Sequence, residues 1–217
     1  MDDLDEVITL LKEKADTKHR AGMTRFAIAN EKALGVKIPE VRKIAKLVKK
    51  DHVLAQALWE TDIHEARILA SMVDDPKQVT PQQIDSWTKD FTTWDVCDQV
   101  CGNLFDRTPY VIEKALQFSL REEEFVKRAG FVLMAGYAVH GKKAGDDVFI
   151  NFFPIIEREA CDDRNFVKKA VNWALRQIGK RSHSLRPLAI QCAERILLQN
   201  SKAAKWIAND ALRELRR

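Results

Sequence analysis

Helical periodicity along nearly the whole chain is the feature that most restricts what this sequence can fold into. Apolar residues recur three and four positions apart in segment after segment, as Leu4, Val7, Ile8 and Leu11 do near the start. No segment shows the strict alternation of apolar and polar residues that is typical of a half-buried strand. Only 8 Gly and 6 Pro occur among the 217 residues, which favours long regular elements with few tight turns. The sequence therefore predicts an all-α protein of about a dozen helices.

Residues that favour helix ends separate the predicted helices. Asp51 and Thr80 are short polar residues suited to cap the helices that follow them, and Pro81 fits a first helical turn. Gly35 ends the segment before it, and Pro76 helps to interrupt the chain. The helices bounded in this way cover residues 18–33, 39–50, 52–60, 63–73, 93–104, 122–140, 148–160, 164–179, 185–198 and 202–215, and others start at Thr80-Pro81 and Thr108-Pro109.

The predicted helices form short pairs that recur at intervals of about 35 to 40 residues, the period of HEAT or armadillo-like helical hairpins. Such pairs cannot bury their apolar faces alone, so they stack into a curved array with a concave surface. We therefore expect an all-α, HEAT-like or armadillo-like helical repeat superhelix, an α-α solenoid with a concave basic face, as a single domain over residues 1–217. A compact helical bundle is the alternative fold.

Composition favours a cytoplasmic protein. The hydrophobic fraction of 46% and the charged fraction of 31% are typical of soluble globular chains. No apolar run is long enough to span a bilayer, and the acidic start Met1–Glu6 lacks the regions of a signal peptide. Of the four cysteines, Cys97 and Cys101 lie four positions apart, but no second close pair completes a metal set. We expect reduced thiols, no membrane partner and no metal.

Several familiar catalytic motifs are absent from the sequence. There is no Gly-rich phosphate loop and no Gly-x-Ser-x-Gly nucleophile turn. His64-Glu65 begins like a zinc-protease motif, but Ile68 stands where the second histidine belongs. We therefore expect no cofactor, and we interpret His64 as a helix-surface residue or a satisfied interior group.

Positive charge is concentrated in the last third of the chain. The net charge is +4, yet residues 162–186 contain seven basic residues against two acidic ones, and residues 187–217 contain six against three. A basic surface on a mildly acidic body is typical of proteins that bind a polyanion such as nucleic acid. A solvated basic face without a ligand is the alternative interpretation.

Two aromatic residues stand beside charged groups at helical spacing. Trp94 and Asp98 are four positions apart and share one helix face, with Thr92 or Thr93 as the expected cap. Trp173 and Arg176 likewise share a face within the basic segment. Guanidinium groups bind phosphate and aromatic faces contact sugar or base, while a carboxylate can stabilise an oxocarbenium-like sugar. The alternative is that both tryptophans are ordinary core residues and Asp98 is a surface acid.

Three segments, residues 91–98, 125–129 and 168–180, together resemble the AlkD-like DNA alkylation repair family of bacteria. The motifs that carry the resemblance are Trp-Asp-x-x-x-Asp and Trp-Ala-Leu-Arg-x-x-Gly-Lys. The resemblance runs from about Arg20 to Leu215. It implies a HEAT-like superhelix that holds double-stranded DNA in its concave face. It also implies hydrolysis of the N-glycosidic bond of cationic N3- or N7-alkylated purines, by a cytoplasmic, nucleoid-associated monomer without cofactor.

The resemblance assigns a role to each matched residue. Asp98 would be the catalytic aspartate, Trp94 and Trp173 the aromatic pair around the deoxyribose, and Arg128 an arginine that faces the DNA backbone. The further residues expected to bind DNA are Arg176, Lys168, Lys169, Lys180, Arg181, Lys37 and Phe26. Four positions depart from the family pattern: Phe26 replaces a common Tyr, Lys37 a Gln of some members and Phe125 a Trp, and Lys127 is the first residue of the basic pair.

Two other functions fit the same sequence. Some relatives bind unusual DNA structures without excising bases, which would make the protein a non-catalytic binder of damaged or branched DNA. The helical repeats could instead form a scaffold for a protein partner, which predicts an exposed apolar groove in place of a basic one.

Overall fold

The computed structural model describes residues 3–217 of the protein. Over this range the chain forms fourteen α-helices and two short 3₁₀ turns, and it contains no strand. Met1 and Asp2, which belong to the acidic N-terminal segment and to the predicted domain 1–217, lie outside the described residues. No helix within residues 3–217 combines the length and the apolar character needed to cross a membrane. The predicted all-α class is thus confirmed.

The helices follow one another with short connections. They are α1 (Leu4–Glu13), α2 (Thr17–Gly22), α3 (Ile38–Val48), α4 (His52–Glu60), α5 (His64–Val73), α6 (Pro81–Lys89), α7 (Trp94–Asn103), α8 (Val111–Ser119), α9 (Glu124–His140), α10 (Asp146–Ile150), α11 (Phe153–Glu159), α12 (Asn165–Arg181), α13 (Leu185–Leu197) and α14 (Lys202–Leu215), with 3₁₀ turns at Met23–Phe26 and Phe105–Arg107.

Local capping chemistry places many helix ends where the sequence predicts them. The Asp51 carboxylate accepts a hydrogen bond from the backbone N–H of Leu54 at 2.9 Å and starts α4. The Thr80 hydroxyl accepts one from the N–H of Gln83 at 3.1 Å, and Pro81 occupies the first turn of α6. These bonds satisfy N–H groups that have no partner inside a helix. The predicted bounds of α4 and α14 are confirmed.

The predicted helix over residues 18–33 is wrong beyond its first turns. Helix α2 ends at Gly22, a 3₁₀ turn follows, and Ala27 adopts a left-handed conformation with φ 55°. The backbone N–H groups of Leu34, Gly35 and Val36 instead donate to the Glu65 carboxylate at 2.8, 2.7 and 3.1 Å. A buried carboxylate therefore anchors the end of the non-helical segment that follows the 3₁₀ turn, which we name the 27–37 loop.

Pro154 explains a second difference from the sequence prediction. The expected helix over 148–160 is divided into α10 and α11, with a turn at Asn151 and Phe152. Because proline lacks a backbone N–H, it fits the first turn of a helix better than its interior. Pro154 accordingly lies in the first turn of α11.

The contacts between residues divide the chain into two compact units. The first unit ends at Thr108 and contains α1 to α7, and the second runs from Pro109 to Arg217 and contains α8 to α14. The proposed single domain over 1–217 stays a prediction, as does the curved superhelix with a concave basic face.

The first unit is built on three neighbouring helices. Helix α5 packs against α3, α4 and α7, and α3, α5 and α7 begin at residues 38, 64 and 94. Trp59 and Trp87 stack in the core with ring centroids 4.1 Å apart. The buried Trp59 indole also donates its N–H to the Asp90 carboxylate at 2.8 Å, so its polar atom is satisfied.

The second unit repeats the arrangement with longer helices. Helix α9 pairs with α8, and α12 packs against both α9 and α14. The helices α9, α12 and α14 begin at residues 124, 165 and 202, close to the predicted repeat period. Gly130 allows α8 and α9 to approach closely, since a Cβ there would lie 2.6 Å from the backbone nitrogen of Ser119.

Candidate functional site

Trp94 is the first residue of α7 and is fixed on two sides. Its half-buried ring packs against the cluster formed by Met23, Ile28 and Ala33. Its indole N–H donates to the backbone carbonyl of Phe26 at 2.9 Å. The Phe26 side chain itself is 67% exposed. The start of α7 is therefore attached to the 3₁₀ turn through Trp94, and the Phe26 ring is available to solvent.

Asp98 lies one turn after Trp94 on α7, as the spacing predicts, and its side chain is half-buried. Its charge is felt by the buried thiol of Cys101, whose pKa is raised well above its usual range. Burial is the main cause of that shift, and the neighbouring Cys97 and the Asp98 carboxylate add to it. The predicted cap is wrong in one respect: Thr93 occupies the N-cap position, but its hydroxyl makes no capping bond.

A buried His64–Asp95 pair lies beside this site, and sequence reasoning did not find it. His64 Nε2 is 2.8 Å from Asp95 Oδ2, and only 7% of His64 is exposed. Burial raises the pKa of Asp95, but the hydrogen bond and charge of His64 hold it below its usual value. The interpretation of His64 as a satisfied interior group is confirmed.

The pair fixes the first turn of α7 to the first turn of α5. Asp95 follows Trp94 directly, and His64 is the first residue of α5. The backbone N–H of His64 also donates to the carbonyl of Lys32 at 3.0 Å, which joins the 27–37 loop to the same point. The interval between the starts of α5 and α7 is the one signal that could have revealed the pairing.

Arg128 lies in the first half of α9 and is only 6% exposed. Its Nη1 donates to the backbone carbonyl of Phe166 on α12 at 2.6 Å. The preceding Lys127 is also engaged, with its Nζ 2.7 Å from Glu159 and 3.6 Å from Asp162. The basic pair of α9 thus joins neighbouring helices of the second unit.

Helix α12 presents a stripe of basic and aromatic side chains to solvent. Lys169, Trp173, Arg176 and Lys180 follow one another at helical spacing, so they share one face. Lys169 and Lys180 are exposed, while Trp173 and Arg176 are half-buried. The predicted common face of Trp173 and Arg176 is therefore present on the surface of the second unit.

Two carboxylates of α14 partly neutralise this stripe. Arg176 binds Glu214 and lies 3.1 Å from Asp210, and Lys180 donates to Glu214 at 2.9 Å. The hydrogen bond from Arg176 is the main cause that lowers the pKa of Glu214 to about 2, and the same bond raises the pKa of Arg176. Asn172 completes the contact through Asp210 at 2.7 Å.

Arg181 serves the structure of the second unit. Its guanidinium donates to the carbonyls of Ala138, Gly141 and Ala144 at 2.8, 2.8 and 2.9 Å. Its Cζ also lies 4.3 Å from the centre of the Phe149 ring. These contacts bind the end of α12 to the end of α9 and to α10, whatever else Arg181 contacts.

A comparison with known families assigns the chain. The family model described as DNA alkylation repair enzyme matches residues 7–215. The protein belongs to the DNA alkylation repair enzyme family. No curated protein matches its sequence.

The fold of this DNA alkylation repair family member is also found in a solved structure. That structure is described as a new family of proteins related to the HEAT-like repeat DNA glycosylases with affinity for branched DNA structures. The two align with a TM-score of 0.80 and 17% sequence identity, over 97% of this chain and 94% of that chain. The predicted HEAT-like helical repeat fold is confirmed by this similarity.

The predicted site residues of this family member fall into both units. In the first unit, Trp94 is bonded to Phe26 and stands one turn from Asp98, whereas Lys37 pairs with Asp16 at 3.5 Å. The predicted residues of the second unit are Arg128, Lys168, Lys169, Trp173, Arg176, Lys180 and Arg181. Among residues 3–217, no group of three or more His, Cys, Asp or Glu side chains is arranged to hold a metal ion.

Proposed function

We propose that this member of the DNA alkylation repair family is a monofunctional DNA glycosylase. Its substrate would be double-stranded DNA with a cationic N3- or N7-alkylated purine, and its reaction the hydrolysis of the N-glycosidic bond. The observation that carries the proposal is the half-buried Asp98 one turn from the anchored Trp94, in a chain that matches the family over residues 7–215.

The proposed reaction needs little from the protein, because a cationic purine is already a good leaving group. The C1′–N bond breaks and its electron pair neutralises the purine, which leaves positive charge on the sugar. The Asp98 carboxylate stabilises that charge, and it orients the water whose oxygen bonds to C1′. The attacking water releases one proton to solvent, and the products are the free neutral alkylated base and an abasic site.

The contacts of Trp94 suit it to a positioning role for Asp98. Its ring packs against the N-terminal cluster and its N–H is bonded to Phe26, so the first turn of α7 is held at two points. A fixed helix start keeps the next turn, with Asp98, in one orientation. Such preorganisation favours the charged transition state over the neutral sugar. An indole face beside the sugar adds attraction for a cation.

The basic residues of the second unit are the proposed phosphate contacts. Lys169 and Lys180 are exposed on α12, and Arg176 lies between them. The bonds of Arg176 and Lys180 to Glu214 would compete with phosphate, so we assign the largest electrostatic contribution to Lys169. Trp173 and Arg128 keep the roles implied by the family as predictions, and a cytoplasmic, monomeric protein stays a prediction as well.

Release of N7-methylguanine from an alkylated duplex tests the proposal. Asp98→Asn preserves size but removes the charge, so we expect base release to fall by about a hundredfold or more. Binding to the same duplex should stay close to wild type. Asp163→Asn, which changes an exposed aspartate before α12, is the matched control and should leave the rate unchanged. Absence of base release by the wild-type protein would contradict the proposal.

A second candidate is a non-catalytic binder of branched DNA. The similar solved structure favours it, because that protein's family is described as having affinity for branched DNA structures. This candidate predicts salt-sensitive binding to a four-way junction without base release. Lys169→Ala and Arg176→Ala would then weaken binding, and Asp98→Asn would change nothing. A protein scaffold would show no salt-dependent affinity for either DNA.

A further inference from the structure

Trp206 is the most exposed tryptophan among residues 3–217, with 42% of its surface accessible. It lies in the second turn of α14, whose buried side is formed by smaller residues such as Ala203 and Ile207. The core of the unit therefore does not account for the exposed part of this indole. Large exposed aromatic side chains are enriched where proteins bind partners.

Lys168 holds the Trp206 ring against α12. The Lys168 ammonium lies 5.1 Å from the ring centre, within the range of a cation–π contact. Lys168 is itself half-buried, so its position is restricted by α12. The contact orients the ring before any ligand arrives, which lowers the entropy lost on binding.

Three more lysines lie close to Trp206 or Lys168 in the sequence of α14 and α12. Lys202 precedes Trp206 by one helical turn, Lys205 is its neighbour in sequence, and Lys169 follows Lys168. All three are exposed, and none forms an ion pair with another part of the chain that the structure describes. We call Trp206 and these four lysines the α14 patch.

The acidic residues that follow Trp206 on α14 do not neutralise the positive charge of the α14 patch. Asp210 is one turn after Trp206, and it is bound by Asn172, Arg176 and Arg213. Glu214, one turn further, is bound by Arg176 and Lys180. The positive charge of the patch is therefore available to a ligand.

We propose that the α14 patch binds single-stranded DNA through stacking of an unpaired base on Trp206. An exposed indole that is oriented by one lysine, on helices that carry three further exposed lysines nearby in sequence, suits a ligand with flat π faces and regularly spaced phosphates. In an intact duplex the base faces are stacked on one another, so only unpaired nucleotides offer a free face. The inference rests on the proposed function only in taking DNA as the ligand. It shares Lys169 with the phosphate contacts proposed above, but Trp206, Lys202 and Lys205, which the test changes, lie outside them.

Fluorescence anisotropy with a labelled oligothymidine of about 16 nucleotides measures this binding. We expect Trp206→Ala to weaken it by roughly fivefold to a hundredfold, as for other base–aromatic contacts. Trp206→Phe should retain most of the affinity, because the aromatic face remains. The control is Leu198→Ala, which removes an apolar side chain that is 85% exposed outside the patch and should have no effect. A blunt duplex should bind Trp206→Ala and wild type equally.

Equal affinity of Trp206→Ala and wild type for the oligothymidine would overturn the proposal, and so would no binding by wild type. Binding of polyglutamate with the same dependence on Trp206 would overturn it in favour of an acidic protein partner. Replacement of Lys202 and Lys205 by Ala should reduce the dependence of oligothymidine affinity on salt, by about one counterion each. Because none of these measurements uses base release, a loss of Trp206-dependent binding and a failure of the glycosylase proposal are distinguishable.

Discussion

The contact between α5 and α7 in the first unit and the contact between α12 and α14 in the second unit differ in their exposure. In the first unit the contacts are buried: His64 binds Asp95, and Glu65 accepts three backbone N–H groups from the 27–37 loop. In the second unit, Arg176 and Lys180 meet Glu214 at the surface. A buried pair is costly to break because it leaves an unpaired charge, whereas a surface pair contributes little. The contacts of α5 and α7 therefore fix positions, whereas the contacts of α12 and α14 keep charge accessible.

The surface contacts of the second unit also reveal its register. Lys168 meets Trp206, Asn172 meets Asp210, and Arg176 meets Glu214, and the two residues of each pair are 38 positions apart. A constant offset means that α12 and α14 run in the same direction, one turn beside one turn. The two helices are thus in regular register, so cationic side chains can lie along them at successive turns.

The largest expected effect is on stability in the first unit. His64→Ala leaves the Asp95 carboxylate buried without its partner, and we expect a loss of about 3–5 kcal/mol in the free energy of unfolding. Urea unfolding followed by circular dichroism measures the loss.

His183→Ala, at an exposed position of the second unit, is the matched control and should change stability by less than about 0.5 kcal/mol. A loss below about 1 kcal/mol for His64→Ala would mean that the buried pair is no stronger than a surface contact, and the comparison would fail.

Two glycine variants compare how tightly the helices are packed inside each unit. Gly130→Ala places a Cβ against the Ser119 backbone between α8 and α9, and we expect about 1–3 kcal/mol of destabilisation. Gly102→Ala on α7 meets nothing within 4 Å and should be neutral or stabilising by up to about 1 kcal/mol. Thermal unfolding of both variants measures the two changes in stability. If Gly130→Ala were as well tolerated as Gly102→Ala, α8 and α9 would be able to separate at little cost.

The smallest expected effect concerns the surface pair of the second unit. Glu214→Gln should cost about 0–1 kcal/mol near neutral pH. The pKa of Glu214 is lowered from 4.5 to about 2, so its stabilisation is present above pH 4.5 and is lost as the pH falls toward 2. Between pH 4.5 and pH 2, the free energy of unfolding should therefore fall less steeply with decreasing pH in Glu214→Gln than in wild type. Identical slopes would show that Arg176 is not held by Glu214 in solution.

Local sequence signals predict the elements whose ends are set by their own residues. Asp51 and Thr80 cap the helices that follow them, and both starts are placed correctly. The 27–37 loop escapes such reasoning because its partner, Glu65, lies about 30 residues further along the chain. A tertiary contact that local patterns do not show therefore holds residues 34–36, directly after the segment predicted as helix.

In the candidate site, too, local features can be predicted from the sequence and contacts between distant residues cannot. Trp94 and Asp98 share a face because both lie on α7, and spacing predicts this directly. The pairing of His64 with Asp95 requires the exact repeat register, which the sequence indicates only through the interval between the starts of α5 and α7. Likewise the basic stripe of α12 was visible in the charge count, but the position of Glu214 opposite Arg176 was not.

The Glu65 contact has a consequence for exchanging parts of this protein with relatives. Three consecutive N–H groups at the end of the 27–37 loop donate to one side chain of α5, and Gly35, at φ 82°, leaves only 2.2 Å between a Cβ and the Asp16 carbonyl oxygen. A chimera that imports this loop must therefore bring a carboxylate at position 65 and a glycine at position 35 with it. The transferable module is a loop together with its distant anchor, and a contiguous graft would omit half of it.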